Sequence, residues 1–107
     1  MDLQLFKGYP DSIGRRKAFV GKGVGPTSYS QTTKDVLNIP LFGNYFDKVD
    51  GGVTVSGTYL IRPIPTFAGA RATWKLTWIV AATGAEVNNA TNLSAESVVL
   101  SGFMGQY

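Results

Sequence analysis

The most informative part of this sequence is the segment 71–82, in which apolar and polar side chains alternate. The apolar positions are Ala72, Trp74, Leu76, Trp78 and Val80, and the polar positions between them are Arg71, Thr73, Lys75 and Thr77. Successive side chains of a β-strand point to opposite faces, so this pattern predicts a strand with one buried face and one solvated face. Burying both tryptophans would contribute roughly 3–6 kcal/mol. We therefore expect Trp74, Leu76, Trp78 and Val80 to form the core around which the other strands are arranged.

Shorter segments with strand character lie on both sides of this one, at 17–20, 45–49, 53–62 and 96–103. Asp50-Gly51-Gly52 predicts a hairpin turn that joins the second of these to the third. One face of the third segment would carry Val53, Val55, Tyr59 and Ile61, and Gly57 would form a bulge between them. The strand would end at Pro63 and Pro65, or these prolines would place it at a sheet edge. The segment 34–44 is predicted to be one helical turn or an irregular loop. Frequent turn residues and no long helical pattern predict one antiparallel all-β domain over residues 27–107, a sandwich, jelly roll or barrel.

Residues 1–26 show no sustained periodicity, and glycines and prolines interrupt them. Their apolar residues are nevertheless too many for an ordinary disordered tail. We therefore expect an extended, irregular N-terminal arm that docks on the domain or on a neighbouring subunit. The run Gly21-Lys22-Gly23-Val24-Gly25 within it lacks the Gly-Lys-Ser/Thr ending of a phosphate-binding loop, so we interpret it as a flexible connector.

The composition limits the chemistry that this chain of 107 residues can perform. It has no cysteine and no histidine, which excludes disulfides and thiolate sites and removes the commonest general base. Asp47 and Asp50 do not have the spacing of a calcium loop, and Glu86 and Glu96 have no evident partner for acid–base catalysis. We expect a protein that is not an enzyme and that uses no cofactor and no metal ion.

The net charge of +3 is concentrated before residue 35. Arg15, Arg16 and Lys17 form a short basic run that would suit an acidic protein surface, and phosphate contacts are the alternative interpretation. No apolar run reaches the ~20 residues of a membrane span, and the acidic start is too short in its apolar part for a signal peptide. We therefore expect a protein that is not secreted and does not enter a membrane.

Several stretches resemble a known class of proteins. The opening Met1-Asp2-Leu3-Gln4-Leu5-Phe6 is similar to the start of many tailed-phage virion proteins, and the segments 57–63, 72–76, 81–87 and 91–98 resemble small phage structural proteins encoded beside the capsid gene. The resemblance implies a capsid decoration, or cement, protein: a β-rich module that binds the outer shell and bridges capsomers, often as a dimer or trimer. Its partner would be the major capsid protein, with no small-molecule substrate. It would be made in the host cytoplasm and reside on the capsid surface of the virion.

On this interpretation the arm and the C-terminal tail make the contacts with the shell or with other subunits. The expected partner-binding residues are Leu3, Leu5, Phe6, Tyr9, Arg15, Arg16, Lys17, Phe103 and Tyr107. Two alternatives stay open: another virion component, such as a head–tail connector or a fibre-anchoring protein, and a small nucleic-acid-binding β-barrel. A nucleic-acid-binding barrel would have exposed aromatic residues beside the basic arm. Both tryptophans are in register with aliphatic residues on the predicted buried face, which argues against this alternative.

Overall fold

The computed structural model describes residues 1–13, 16–40, 43–68 and 71–106. These residues contain nine β-strands and no helix, which confirms the predicted all-β class. The strands are β1 (Gln4–Leu5), β2 (Asp11–Ile13), β3 (Arg16–Val24), β4 (Asp35–Val36), β5 (Asn44–Asp50), β6 (Gly52–Val53), β7 (Tyr59–Ala68), β8 (Arg71–Val80) and β9 (Ser97–Gln106).

The strands form two antiparallel sheets that pack on each other. The first has the order β1-β3-β9-β5, and β2 also pairs with β3. The second has the order β4-β8-β7-β6, so the strand with both tryptophans is an interior strand of its sheet. The two sheets meet at β6, which pairs with β7 and continues into Thr54, whose backbone bridges Val98 of β9. The sheets are therefore joined along one side of the sandwich.

The inward faces of the two sheets supply one core. Leu76 and Trp78 of β8 are fully buried, whereas Trp74 and Val80 are partly buried and pack against the core. The remaining buried apolar side chains come from every part of the chain: Leu3, Phe19, Tyr29, Leu37, Phe46, Val49, Ile61, Val87, Leu93, Val98, Leu100 and Met104. On the face of β8 that was expected to be solvated, Thr73 is exposed but Thr77 is only 8 % exposed.

The expectation of an extended, irregular N-terminal arm is not confirmed. Residues 1–26 include three strands of the first sheet, and β3 pairs with β9 on one edge and with β1 and β2 on the other. The glycines that suggested a connector allow this packing instead. A Cβ atom on Gly23 would lie 2.5 Å from the Sδ atom of Met1, and one on Gly21 would lie 3.2 Å from Cβ of Leu3. The glycine run is therefore a strand that accepts another segment across its inner face.

The predicted hairpin at Asp50-Gly51-Gly52 is wrong, because these residues carry the chain from β5 in one sheet to β6 in the other. The predicted strand 53–62 is also interrupted. A turn that contains Gly57, with φ of +76°, separates β6 from β7, so Gly57 is a turn residue and not a bulge. A Cβ on Gly51 would lie 2.4 Å from the carbonyl oxygen of Ile61, which explains why glycine precedes this crossover.

Two strand edges carry features that oppose further strand pairing. Strand β7 continues through Pro63 and Pro65 to Ala68, but β6 covers its outer edge only opposite Leu60 and Ile61. A proline has no N–H that could bond to a further strand. Pro63 and Pro65 therefore lie at a sheet edge, as one of the two predictions had it, and they do not end the strand, as the other had it. On the first sheet, edge strand β5 has a bulge between Phe46 and Lys48. These features favour contacts with other proteins through the faces of the sheets and disfavour contacts through these two edges.

Candidate interaction surface

The described residues form neither a cluster of three metal-ligating side chains nor a pocket. Within the same residues no helix has the length and apolar character needed to cross a bilayer. The features that stand out are two outward-facing sheet surfaces and the buried polar contacts that hold them.

One surface is apolar and lies where the two sheets join. Thr54 and Val98 bridge each other and are both buried, so their neighbours Val53 and Val99 lie side by side on the outside. Val53 is also opposite Leu60 of β7. We name the exposed aliphatic residues of this region, Val24, Val53, Val55, Leu60 and Val99, the valine face.

The remaining two members extend the valine face toward the end of the sheet. Val24 is opposite Ser97 in the β3–β9 pair, and the backbone N–H of Val55 donates to the carbonyl of Ser97 at 2.8 Å. The four valines are between 42 % and 75 % exposed, with Val55 the most exposed. Lys22, opposite Val99, borders the face. Together the side chains present roughly 400 Å² of apolar surface, a size at which exposed patches on monomers are often functional.

Tyr29 holds the end of the tryptophan strand in place. Its hydroxyl accepts a hydrogen bond from the backbone N–H of Trp78 at 3.2 Å and donates to Glu86 Oε2 at 2.7 Å. Strand β4 pairs with β8 only at Leu76 and Lys75, so the tyrosine hydroxyl takes the place of a strand partner at Trp78. The carbonyl of Trp78 accepts from the N–H of Val87 at 2.9 Å.

The charges around Tyr29 shift its own pKa and that of Glu86. Burial and the hydrogen bond to Glu86 raise the pKa of the Tyr29 hydroxyl above its usual range, so the group remains a donor in alkaline solution. The pKa of Glu86 is lowered, mainly by the hydrogen bond from the Lys34 ammonium and then by that from Tyr29. Glu86 is therefore a carboxylate at neutral pH whose charge is already matched by a lysine.

Asp35 anchors the N-terminal residue to the same strand. Its carboxylate accepts from the α-ammonium group of Met1 at 2.8 Å and from Nε1 of Trp78 at 3.0 Å, and it is almost fully buried. The Met1 ammonium also donates to the carbonyl of Val36. This contact fixes the start of the chain against the second sheet, and it gives the buried indole N–H its acceptor.

The apolar residues expected to bind a partner are divided by the structure. Leu3 is buried in the core, and Leu5 is half-buried opposite Gly21 of β3. Phe6 and Tyr9 are each 40 % exposed, and the N–H of Phe6 donates to the carbonyl of Val20 beyond the end of β1. Leu3 thus stabilises this domain, while Phe6 and Tyr9 remain accessible beside β3.

The basic and C-terminal residues meet at the opposite end of β3. Arg16 is exposed and forms an ion pair with Asp47 at 3.0 Å. Lys17 is opposite Met104, and the next residue of β3 is opposite Phe103, so the structure brings the basic run and the C-terminal strand together. Lys17 and Phe103 are half-buried. Arg15 and Tyr107 lie outside the described residues.

The sequence analysis did not identify the valine face. It placed Val53 and Val55 on the same face as Ile61, but the turn between β6 and β7 separates their registers. The segment 54–58, Thr-Val-Ser-Gly-Thr, could have predicted that turn, because it combines a glycine with three hydroxyl residues.

Comparison with known proteins gives no relative for this chain. No protein-family model, no curated protein and no solved structure matches it.

Proposed function

We propose that this protein is a non-enzymatic decoration, or cement, protein of a tailed-phage capsid, which binds the major capsid protein on the outer shell and bridges capsomers. The observation that carries the proposal is the valine face, an exposed apolar surface on a rigid sheet framework. The resemblance of the first six residues and of several later segments to small phage structural proteins supports the same conclusion.

The valine face would act by removing apolar surface from water at the contact with the shell. Roughly 400 Å² of apolar surface contributes about 10 kcal/mol at 25 cal/mol per Å². Association of two proteins costs an estimated 4–15 kcal/mol in lost freedom, so this face alone would bind weakly. A stable contact of about 800 Å² per partner needs further residues around the face or several linked copies.

A homo-oligomer, a dimer or trimer, would supply these linked copies. Once one copy is bound, the next binds at a high effective concentration, and the overall affinity can exceed that of one copy by roughly 10²–10⁴. Bridging of neighbouring capsomers follows from the same arrangement, because each copy holds a different shell subunit. The protein would then be located on the capsid surface of the virion, after synthesis in the host cytoplasm.

Co-sedimentation with capsid shells that lack the protein tests the proposal. Wild-type protein should bind to saturation at a fixed ratio to the shell protein, and binding should persist in high salt because the contact is apolar. Val55→Ser should reduce binding because it replaces the most exposed apolar side chain of the valine face by a hydroxyl, while Lys7→Gln, on the exposed turn between β1 and β2, serves as the surface control. Absence of saturable binding to shells would contradict the proposal, and ring formation without shell binding would favour a connector.

A further inference from the structure

A second surface, on the outer face of the β4-β8-β7 sheet, combines cations with aliphatic side chains. Because Leu76 and Trp78 point inward, Lys75 and Thr77 lie on the outer face. The strand register then places Lys75 between Val36 on β4 and Ile64 on β7, and Thr77 opposite Arg62. We name these residues, Val36, Arg62, Ile64, Lys75 and Thr77, the cationic face.

Among the described residues, no negative charge pairs with the cations of this face. The ion pairs among the described residues involve neither Arg62 nor Lys75. Asp35, on the adjacent strand, points into the core, and Glu86, which bridges β8 at Ile79, is already paired with Lys34. Strands β7 and β8 contain no aspartate or glutamate at all. An anionic partner would therefore meet uncompensated positive charge here.

The hydroxyl of Thr77 is an independent sign of a missing partner. Thr77 is only 8 % exposed, and its Oγ1 atom has no hydrogen-bond partner among the described residues. Buried hydroxyl groups are nearly always hydrogen-bonded, since an unpaired one loses its bond to water without replacement. Arg62 lies directly opposite on β7. Since Oγ1 of Thr77 has almost no solvent-accessible surface, a carboxylate paired with Arg62 reaches it only when neighbouring side chains move aside, and it then accepts hydrogen bonds from both groups.

We propose that the cationic face binds an acidic segment of another protein, with one carboxylate at Arg62 and Thr77 and another at Lys75. An extended segment directs every second side chain to the same side, so acidic residues at alternate positions would all face this surface. Val36 and Ile64, which are 40 % and 42 % exposed and flank Lys75, would contact the methylene groups of those acidic side chains. The proposed function enters only in the source of the acidic segment, which would be a neighbouring virion protein. The cationic face itself is distinct from the valine face.

A protein segment fits this surface better than a nucleic acid does. Two described cations would neutralise about two phosphates, whereas proteins that bind nucleic acid with useful affinity in physiological salt contact roughly 6–10. The side chains between the cations are aliphatic and offer no ring on which a base could stack.

The test is fluorescence anisotropy with a short labelled peptide of alternating glutamate and leucine, with a peptide of alternating glutamine and leucine as the control. The full-length protein should bind the glutamate peptide and not the glutamine peptide. Thr77→Val keeps the shape and strand preference of the side chain but removes the donor, so it should weaken binding about tenfold, as expected for a hydrogen bond to a charged group. Arg62→Gln should weaken binding at least as much.

Separate controls keep this test apart from the proposed function. Val55→Ser, on the valine face, should leave peptide binding unchanged while it reduces binding to shells. Circular dichroism and urea unfolding of Thr77→Val should match wild type, because the lost hydroxyl has no hydrogen-bond partner among the described residues. The proposal would be overturned if the protein failed to bind the glutamate peptide in low salt or bound both peptides equally. It would also be overturned if Thr77→Val and Arg62→Gln left binding unchanged, or if a single-stranded oligonucleotide bound more tightly than the peptide.

Discussion

Replacement of Tyr29 by phenylalanine should destabilise the fold by about 2–3 kcal/mol, although it removes a single oxygen atom. The ring is only 1 % exposed and its packing is retained, so no cavity is created. The hydroxyl, however, is the acceptor for the backbone N–H of Trp78 and the donor to Glu86. A buried N–H left without an acceptor costs about 1–3 kcal/mol. Loss of the bond to Glu86 adds less, since that carboxylate is partly exposed and keeps its bond to Lys34.

Urea unfolding at neutral pH, followed by tryptophan fluorescence, measures this change, and Tyr59→Phe is the matched control. The Tyr59 ring packs edge-on against Trp78 with centroids 5.9 Å apart, and this contact does not use its hydroxyl. Tyr59→Phe should therefore alter stability by less than about 0.5 kcal/mol. Tyr29→Phe should lower Tm by about 10 °C. Equal effects of the two substitutions, or a negligible effect of Tyr29→Phe, would refute the role assigned to this hydroxyl.

The same variant has a defined pH dependence. The folded-state pKa of Glu86 lies below its ordinary value of 4.5, so its ionised form stabilises the fold above that pH and the contribution is lost as pH falls through the lowered pKa. Tyr29 is the second of the groups that lower this pKa, after Lys34. Removal of the Tyr29 hydroxyl should raise the pKa of Glu86 toward 4.5, so the acid-induced loss of stability that comes from this carboxylate should be smaller than in wild type and complete at a higher pH. An unchanged acid limb would contradict this assignment.

Two other substitutions test contacts elsewhere in the fold. Asp35→Ala should destabilise by about 3–5 kcal/mol, because it removes the charge partner of the Met1 ammonium and leaves a buried indole N–H without an acceptor; thermal unfolding against Asp50→Ala, at an exposed site, measures the difference. Gly102→Ala should prevent normal folding of the first sheet, because the added Cβ would lie 2.0 Å from the carbonyl oxygen of Lys48. In the control Gly84→Ala, the added Cβ has no atom within 4 Å, and the only cost is the strain of a positive φ. Circular dichroism should therefore show a native fold for Gly84→Ala and an altered one for Gly102→Ala.

The sequence predicted the fold class and the central strand because both depend on local periodicity. The alternation around Trp74 and Trp78 needs only neighbouring residues to be recognised, and it predicted a strand over 71–82, of which the structure has 71–80. The positions of the N-terminal strands depend on long-range partners instead. Gly21 and Gly23 resemble a connector in isolation, and only the approach of Met1 and Leu3 explains why a strand needs glycine there.

The candidate surfaces were harder to predict than the core for a related reason. An exposed aliphatic residue and a buried one look the same in a sequence, and the difference is decided by register. Val53 and Val55 were placed on one face with Ile61, yet the turn before Tyr59 reverses their orientation relative to Ile61. The cationic face was equally hidden, because Val36, Lys75 and Ile64 become neighbours only through strand pairing.

The most direct test of the account is the accessibility of the valine face before and after the protein binds capsid shells. The chain contains no cysteine, so a single Val55→Cys substitution gives one thiol at the most exposed position of that face. Its reaction with a maleimide should be fast in the free protein and strongly slowed on shells, whereas a thiol at Lys7→Cys, on the exposed turn between β1 and β2, should react at the same rate in both states. Equal labelling of Val55→Cys in free and shell-bound protein would contradict the claim that this face makes the contact.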